Sequence, residues 1–208
     1  MDLSRPVASV VPSLDGDVLM VLVGTTRPLT GREVSRLVRR GSWSGVRRVL
    51  HRLVDQGLVT VQEATPSLLY SLNRDHVAAP PVMALARLRA EFFDRIRDQI
   101  ARWRVAPYSA AIFGSAARGD GSTESDVDVF LVRPDAVDED DTEWRRQVAE
   151  LSAAITRWSG NSSSLIEITA AEAGGLSERQ ATIAEELHRD AVNVAGHSLV
   201  DVLAGGAR

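Results

Sequence analysis

The sequence predicts an α/β (α+β) fold in two domains: a helical N-terminal domain closed by a hairpin, then a small mixed-sheet domain. Three observations predict it. The chain has 208 residues, more than one small core usually holds. Its charge is divided: residues 1–79 carry ten Arg against seven acids, residues 80–107 six against three, and residues 108–208 eight against eighteen. The apolar patterning also changes along the chain, from three helix-period stripes and two strand-like runs to strand, loop, strand, helix, strand. The expected boundaries are 1–79, a connecting helix over 80–107, and 108–208.

Composition excludes several classes of function. The longest apolar run, Val18 to Gly24, falls far short of the ~18–20 residues of a membrane span. The first six residues show no basic region leading into an apolar core, so they do not read as a secretory signal. A cytoplasmic protein with no membrane partner is expected. The chain has no cysteine, which removes disulfides, thiolate zinc sites and cysteine nucleophiles. It has no lysine either, so a lysine nucleophile or P-loop lysine is excluded. His51, His76, His188 and His197 show no metal-ligand spacing. The run Asp138–Asp141 suits a helix N-terminus, where negative charge meets the helix dipole.

The N-terminal elements follow in order. Val18, Leu19, Leu22 and Val23 have helical spacing, and Gly24 is a stop. Thr30 and Glu33 form a capping box ahead of a helix whose apolar face is Val34, Leu37 and Val38. After Gly41, Ser42 or Ser44 caps a third helix. Its inward face is Val46, Val49, Leu50, Leu53 and Val54, its outward face Arg47, Arg48, His51 and Arg52, and Gly57 ends it. Leu58–Val61 and Leu68–Leu72 read as strands joined by a turn at 64–67. This order, including Leu53-Val54-Asp55-Gln56-Gly57-Leu58-Val59 at the exit of the third helix, resembles the winged helix-turn-helix domain of bacterial transcriptional regulators over about residues 12–79. The resemblance implies duplex DNA as a partner, with the third helix in the major groove. Arg47, Arg48, His51 and Arg52 would contact bases or phosphates, and Ser44 would face a phosphate at the helix N-terminus. The basic balance of this segment agrees. The alternative is a protein-docking or dimerisation module. The wing turn carries no arginine, so a homodimer is the expected source of affinity.

Pro80 and Pro81 suit the first turn of a helix. Leu85, Leu88, Phe92, Ile96, Ile100 and Trp103 then recur every three or four residues until Pro107. The spacing predicts one helix of roughly 24 residues, ~36 Å long, either a connector packed on the second domain or a dimerisation helix.

Residues 108–132 carry the chemistry. Tyr108–Phe113 reads as a buried strand that runs into Gly114-Ser115-Ala116-Ala117-Arg118-Gly119-Asp120. Ser125–Val132 reads as a second strand, in which Asp126 and Asp128 share a face. Two carboxylates on one face of a rigid strand suit a hard divalent cation such as Mg²⁺; without one they repel and shift toward protonation. Gly114 permits close approach to a phosphate, Ser115 adds a hydroxyl and an amide donor, and Arg118 can neutralise a phosphate or pair with an Asp. Residues 141–158 read as a helix and Leu165–Thr169 as a third strand, with Glu167 turned away from Ile166 and Ile168. A helix over 177–188, then a short strand and helix over 191–204, complete the domain.

The phrase Phe113-Gly114-Ser115-Ala116-Ala117-Arg118-Gly119, followed by Asp126-x-Asp128, resembles the nucleotidyltransferase superfamily of DNA polymerase beta, specifically its minimal, antitoxin-like branch, over about residues 82–208. The resemblance implies transfer of a nucleoside monophosphate from an NTP, with ATP expected, to an acceptor hydroxyl. It implies two Mg²⁺ ions on Asp126 and Asp128, and Glu167 as the third carboxylate, completing the acceptor-side ion. Gly114, Ser115 and Arg118 would bind the nucleotide. Glu172 is the next acid to consider if Glu167 is not in the site. The resemblance further implies a HEPN-type toxin as acceptor and an antitoxin that represses its own operon. The alternative is a transcriptional regulator whose nucleotidyltransferase fold binds nucleotide only as an effector.

Overall fold

The computed structural model describes residues 1–176 and 180–205. The chain divides into two compact units, Arg5–Arg89 and Met1–Ser4 with Ala90–Arg208. In the first, α1 (Leu14–Val23), α2 (Gly31–Val38) and α3 (Trp43–Asp55) precede a hairpin of β2 (Val59–Ala64) and β3 (Ser67–Leu72). A two-residue strand, β1 (Leu29–Thr30), adds to the free edge of β3, giving the antiparallel order β1-β3-β2. Sequence periodicity cannot show a two-residue strand; it exists only because β3 is there to pair with. Val18, Leu22, Leu29, Val34, Val46 and Leu50 are fully buried between helices and sheet.

The helix signals operate as the sequence predicts. Thr30 accepts the Glu33 amide while the Glu33 carboxylate accepts the Thr30 amide, so each satisfies a donor the helix leaves orphaned. Ser42 caps α3 by accepting the Gly45 amide. Asp17, buried on α1, is held between the guanidinium groups of Arg5 and Arg40, as a buried charge requires.

The single helix expected over 80–107 is two helices, α4 (Ala79–Leu85) and α5 (Leu88–Ala101), broken at Ala86 and Arg87. The break follows from packing. Val82 and Met83 of α4 pack on the core of the first unit. Phe92, Phe93, Ile96 and Ile100 of α5 are buried in the core of the second. One straight helix would have to serve both cores with one stripe. Thus α5 packs on the second unit, as the first of the two sequence alternatives expects, and forms part of its core. Leu3 is buried in the same core.

The second unit is a four-stranded sheet in the order β6-β5-β4-β7, built from β4 (Ser109–Phe113), β5 (Val127–Arg133), β6 (Ser163–Thr169) and β7 (Val192–Gly196). β4 runs antiparallel to β5 and β7, and β5 parallel to β6. The parallel pair needs a long crossover, which α7 (Thr142–Ser159) supplies. Strand alternation divides the side chains between two faces. Ile112, Val127, Val129 and Leu131 face the core of α5 and α7, with Trp144, Leu151 and Ile155. Ala111, Phe113, Phe130 and Val132 face α8 (Ala170–Ala173), α9 (Ala181–Asp190) and α10 (Leu199–Leu203). Part of the helix expected over 177–188 lies outside the described residues; its described part is α9, which runs two residues further. The sheet between two helical layers places the N-terminal end of β5 and the C-terminal end of β4 side by side, where the chemistry-bearing residues lie.

Candidate active site

The sharp turn out of β4 is made at Gly114. Its φ of +65° suits glycine, and a Cβ there would lie 2.5 Å from the Asp128 carboxylate. Phe113 and Asp128 are register partners across β4 and β5, so any side chain at 114 would occupy the carboxylate's space. Gly114 opens a five-residue helix, α6 (Gly114–Arg118), which Gly119 ends in the left-handed region. The amides of Gly119, Asp120 and Gly121 all converge on the Ser115 carbonyl at 3.0–3.2 Å, which pins the loop. The Ser115 hydroxyl makes no hydrogen bond among the described residues.

Asp128 lies within β5 and is half-buried; Asp126 stands one residue before the strand and is exposed. Asn161, almost fully buried, fixes the approach to this pair. Its amide donates to the carbonyls of Ser122 and Ser125 at 3.0 and 2.9 Å. The Val127 amide donates to Ser162 at 2.9 Å. The sequence marks Asn161 only as a turn residue. Its partners lie 39 and 36 positions away, beyond any local signal.

Neither the Asp126 nor the Asp128 side chain has a hydrogen bond or ion pair among the described residues. Burial raises the Asp128 carboxyl above the ordinary aspartate range, and the charges of Asp126 and Glu186 raise it further; Arg118 opposes them. Two oxygen-donor side chains whose mutual repulsion Arg118 offsets only in part fit a hard divalent cation. Among the described residues no group of three His, Asp or Glu side chains stands close enough to hold an ion, so the remaining ligands of a bound cation would be phosphate oxygens and water.

Arg118 does not project freely toward a phosphate. It donates to Asp190 at 2.7 Å and to Asp120 at 3.1 Å, and these bonds raise its pKa. Of the two roles open to it in sequence, pairing with aspartate is the one observed.

Glu167 does not join the aspartates. It pairs in register with Leu131, on the sheet face of Val127 and Val129, whereas Asp128 shares the opposite face with Phe130 and Val132. Its carboxylate accepts the indole N–H of the fully buried Trp144 at 2.6 Å. The expectation that Glu167 turns away from Ile166 and Ile168 holds, but that direction leads to α7. Glu172 closes a second capping box with Thr169 at the start of α8. Besides Asp126, the acid whose charge raises the Asp128 carboxyl is Glu186 of α9, which the sequence marks only as part of a helix.

In the first unit, Arg47, Arg48 and His51 are exposed on α3. Arg47 donates to His51 at 3.3 Å, and Arg48 has no partner among the described residues. Arg52 is instead paired with Asp15 of α1, because the two face each other across the α1–α3 contact. Ser44 is exposed and shares a hydrogen bond with the capping Ser42. Trp43, Arg47 and His51 form one wall of an open groove of about 510 Å³, and Pro66, Ser67 and Leu68 of the hairpin form the other.

One stretch of the second unit is similar to a known family. Residues 94–172 match the family model described as a nucleotidyltransferase domain, a stretch that contains most of α5, the Gly114 turn, the Asp pair, α7 and β6. This supports membership of this segment in the nucleotidyltransferase superfamily and a transferase of the type that moves a nucleoside monophosphate. No curated protein and no solved structure matches the chain. No helix among the described residues is long and apolar enough to cross a membrane.

Proposed function

We propose that the protein transfers a nucleoside monophosphate from Mg²⁺-NTP, with ATP the expected substrate, to an acceptor hydroxyl, and that its first unit is a winged helix-turn-helix module that binds duplex DNA. The observation that carries the transferase reading is the Asp126–Asp128 pair, without side-chain partners among the described residues and with Asp128 directly against the Gly114 turn, inside the segment that matches the nucleotidyltransferase model. Asp126 and Asp128 would hold Mg²⁺, in the two ions that the resemblance to the superfamily implies. The cation, when bound there, would supply neutralisation of the triphosphate and a lowered pKa for the acceptor hydroxyl. The Gly114 turn and the free Ser115 hydroxyl would receive phosphate oxygens, and the pinned loop would keep these donors in place as charge develops on the leaving pyrophosphate. Most of the remaining work in phosphoryl transfer is positioning, which Asn161 performs for Asp126. The antitoxin-like resemblance makes a HEPN-type toxin the acceptor to assay first.

The DNA reading is supported by the helix order, the hairpin and the exposed arginines of α3. Isothermal titration with each NTP, with and without Mg²⁺, tests the transferase reading. Binding that requires Mg²⁺ and disappears in the Asp126→Asn, Asp128→Asn variant is expected. No metal-dependent binding of any NTP overturns it.

A further inference from the structure

We infer that residues 1–4 are a positioning strap of the transferase site, holding the loop that joins Ser115 to Asp126; this rests on the transferase reading above and draws in residues far in sequence from the segment that matches the family model.

Residues 1–4 belong to the second unit, although the chain leaves it at Arg5 and returns only at Ala90. Leu3 is 1% exposed and lies in the core cluster that also holds Ala116 and Ala117 of α6. The Ser4 amide donates to the Gly121 carbonyl at 3.1 Å and shares this donor with the Asp2 carboxylate at 2.9 Å. Gly121 is buried between Leu3 and the Ser115 hydroxyl: a Cβ there would lie 3.1 Å from Ser115 Oγ and 3.6 Å from Leu3 Cβ. The Met1 nitrogen donates to the Asn161 side-chain oxygen at 2.5 Å. With that oxygen taken by a donor, the NH₂ of Asn161 is the group left for acceptors, and it meets the carbonyls of Ser122 and Ser125. One short segment thus holds the loop at two places, Gly121 directly and Ser122 with Ser125 through Asn161.

Asp126 depends on this hold. The register of β4 and β5 places Asp128, but Asp126 stands one residue before the strand and is exposed, so the loop sets its position. The other end of the loop is α6, which carries Ser115. Mg²⁺ demands near-octahedral oxygen ligands at ~2.0–2.1 Å. A slack loop would move one carboxylate off the cation and the Ser115 hydroxyl off the phosphates together, and a misplacement of ~1 Å can cost ~10²-fold.

The test uses the full chain with nothing added ahead of Met1, and the variants Ser4→Pro, Leu3→Ala and Ser4→Ala. Ser4→Pro removes the amide donor, Leu3→Ala loosens the strap from the core without touching that donor, and Ser4→Ala keeps both. Titration calorimetry with Mg²⁺-ATP reads the site, and amide hydrogen exchange followed by nuclear magnetic resonance reads the loop. Ser4→Pro and Leu3→Ala should each weaken Mg²⁺-ATP binding ~10–10²-fold. In both, the amides of Gly119, Gly121 and Val127 should exchange about ten-fold faster or more relative to those of Ala110 and Ile112 in β4, because the opening is local. A general loss of stability would not single out the loop. Ser4→Ala should stay within two-fold of the parent on both readouts. Wild-type protein that binds no Mg²⁺-ATP overturns the transferase reading and this assignment with it. Wild-type protein that binds it, with Ser4→Pro and Leu3→Ala within two-fold in affinity, overturns the strap alone. So do loop amides that exchange no faster, relative to β4, in either variant than in the parent.

Discussion

Asp128 is half-buried beside Asp126, and Arg118, the guanidinium whose charge opposes that burial, is bound to Asp120 and Asp190. The consequence is a cost to the metal-free fold. An aspartate whose folded-state pKa is raised binds its proton more tightly folded than unfolded. Stability therefore falls as pH rises from the ordinary aspartate value of 3.8 through the raised one, and the cost is complete above that. Asp128→Asn removes both the burial of a charge and the repulsion. We expect the metal-free variant to melt about 2–4 °C above the parent at neutral pH and to lose that part of the pH slope, while Mg²⁺-dependent nucleotide binding is abolished. Calorimetry from pH 3.5 to 7.5, with and without Mg²⁺-ATP, measures both. A variant that melts lower than the parent in the absence of metal would mean that Asp128 is structurally satisfied. Gly114 shows how much one residue's chemistry was already legible. The sequence reading assigned it to close approach to a phosphate; the structure adds that its missing Cβ makes room for Asp128 itself.

Elements depend on signals of different range. The capping box of α2 is local, four consecutive residues, and was readable for that reason. The backbone amide of Thr30, its hydroxyl and Arg27 together hold the Glu33 carboxyl down at about 2. A lowered glutamate stabilises the fold fully above its unfolded value of 4.5, and that contribution is lost as pH falls from there toward 2. Glu33→Gln should therefore be less stable than the parent at pH 7, and the two should converge between pH 4.5 and 2; acid titration of the far-ultraviolet circular dichroism follows this. The helix over 80–107 shows the opposite case. Its stripe is continuous in sequence, because Leu85 and Leu88 keep the spacing across the break. Only the existence of two separate cores, one taking Val82 and Met83 and the other Phe92 and Ile96, divides it. β6 is intermediate: alternation correctly set Glu167 apart from its isoleucine neighbours, but not which helix lay on that side.

At the scale of the whole molecule, charge is segregated by unit. The carboxylates concentrate in residues 108–208. In the first unit Arg32, Arg36, Arg39 and Arg48 are exposed without partners among the described residues, and Arg47 meets only His51. Arg52 and Arg40 are withdrawn into pairs with Asp15 and Asp17. If these five arginines meet DNA phosphates, each releases counterions, and log affinity should fall with log salt at a slope no steeper than about −4.5 per protomer. Arg47→Ala with Arg48→Ala should reduce that slope by about 1.8, with ~1–3 kcal/mol lost per arginine that reads a base. Fluorescence anisotropy with the promoter fragment of the protein's own operon, over 50–300 mM salt, tests this. A slope and affinity unchanged in the double variant would make the first unit a docking module.

The sequence by itself determined what is local or strictly periodic. The helix caps, the inward stripe of α3, the strands around the Asp pair and the Gly114 turn all follow from backbone donors, from 3.6- and 2-residue periods and from the space a missing Cβ leaves. The tertiary structure alone decided which charges meet. Arg118 was given to Asp190 across 72 positions, Arg52 to Asp15 across 37 and Glu167 to Trp144 across 23. The physical reason is that a charged side chain takes whichever partner the packing of apolar faces brings within hydrogen-bond reach. That packing is a property of the assembled layers and not of any window of the chain.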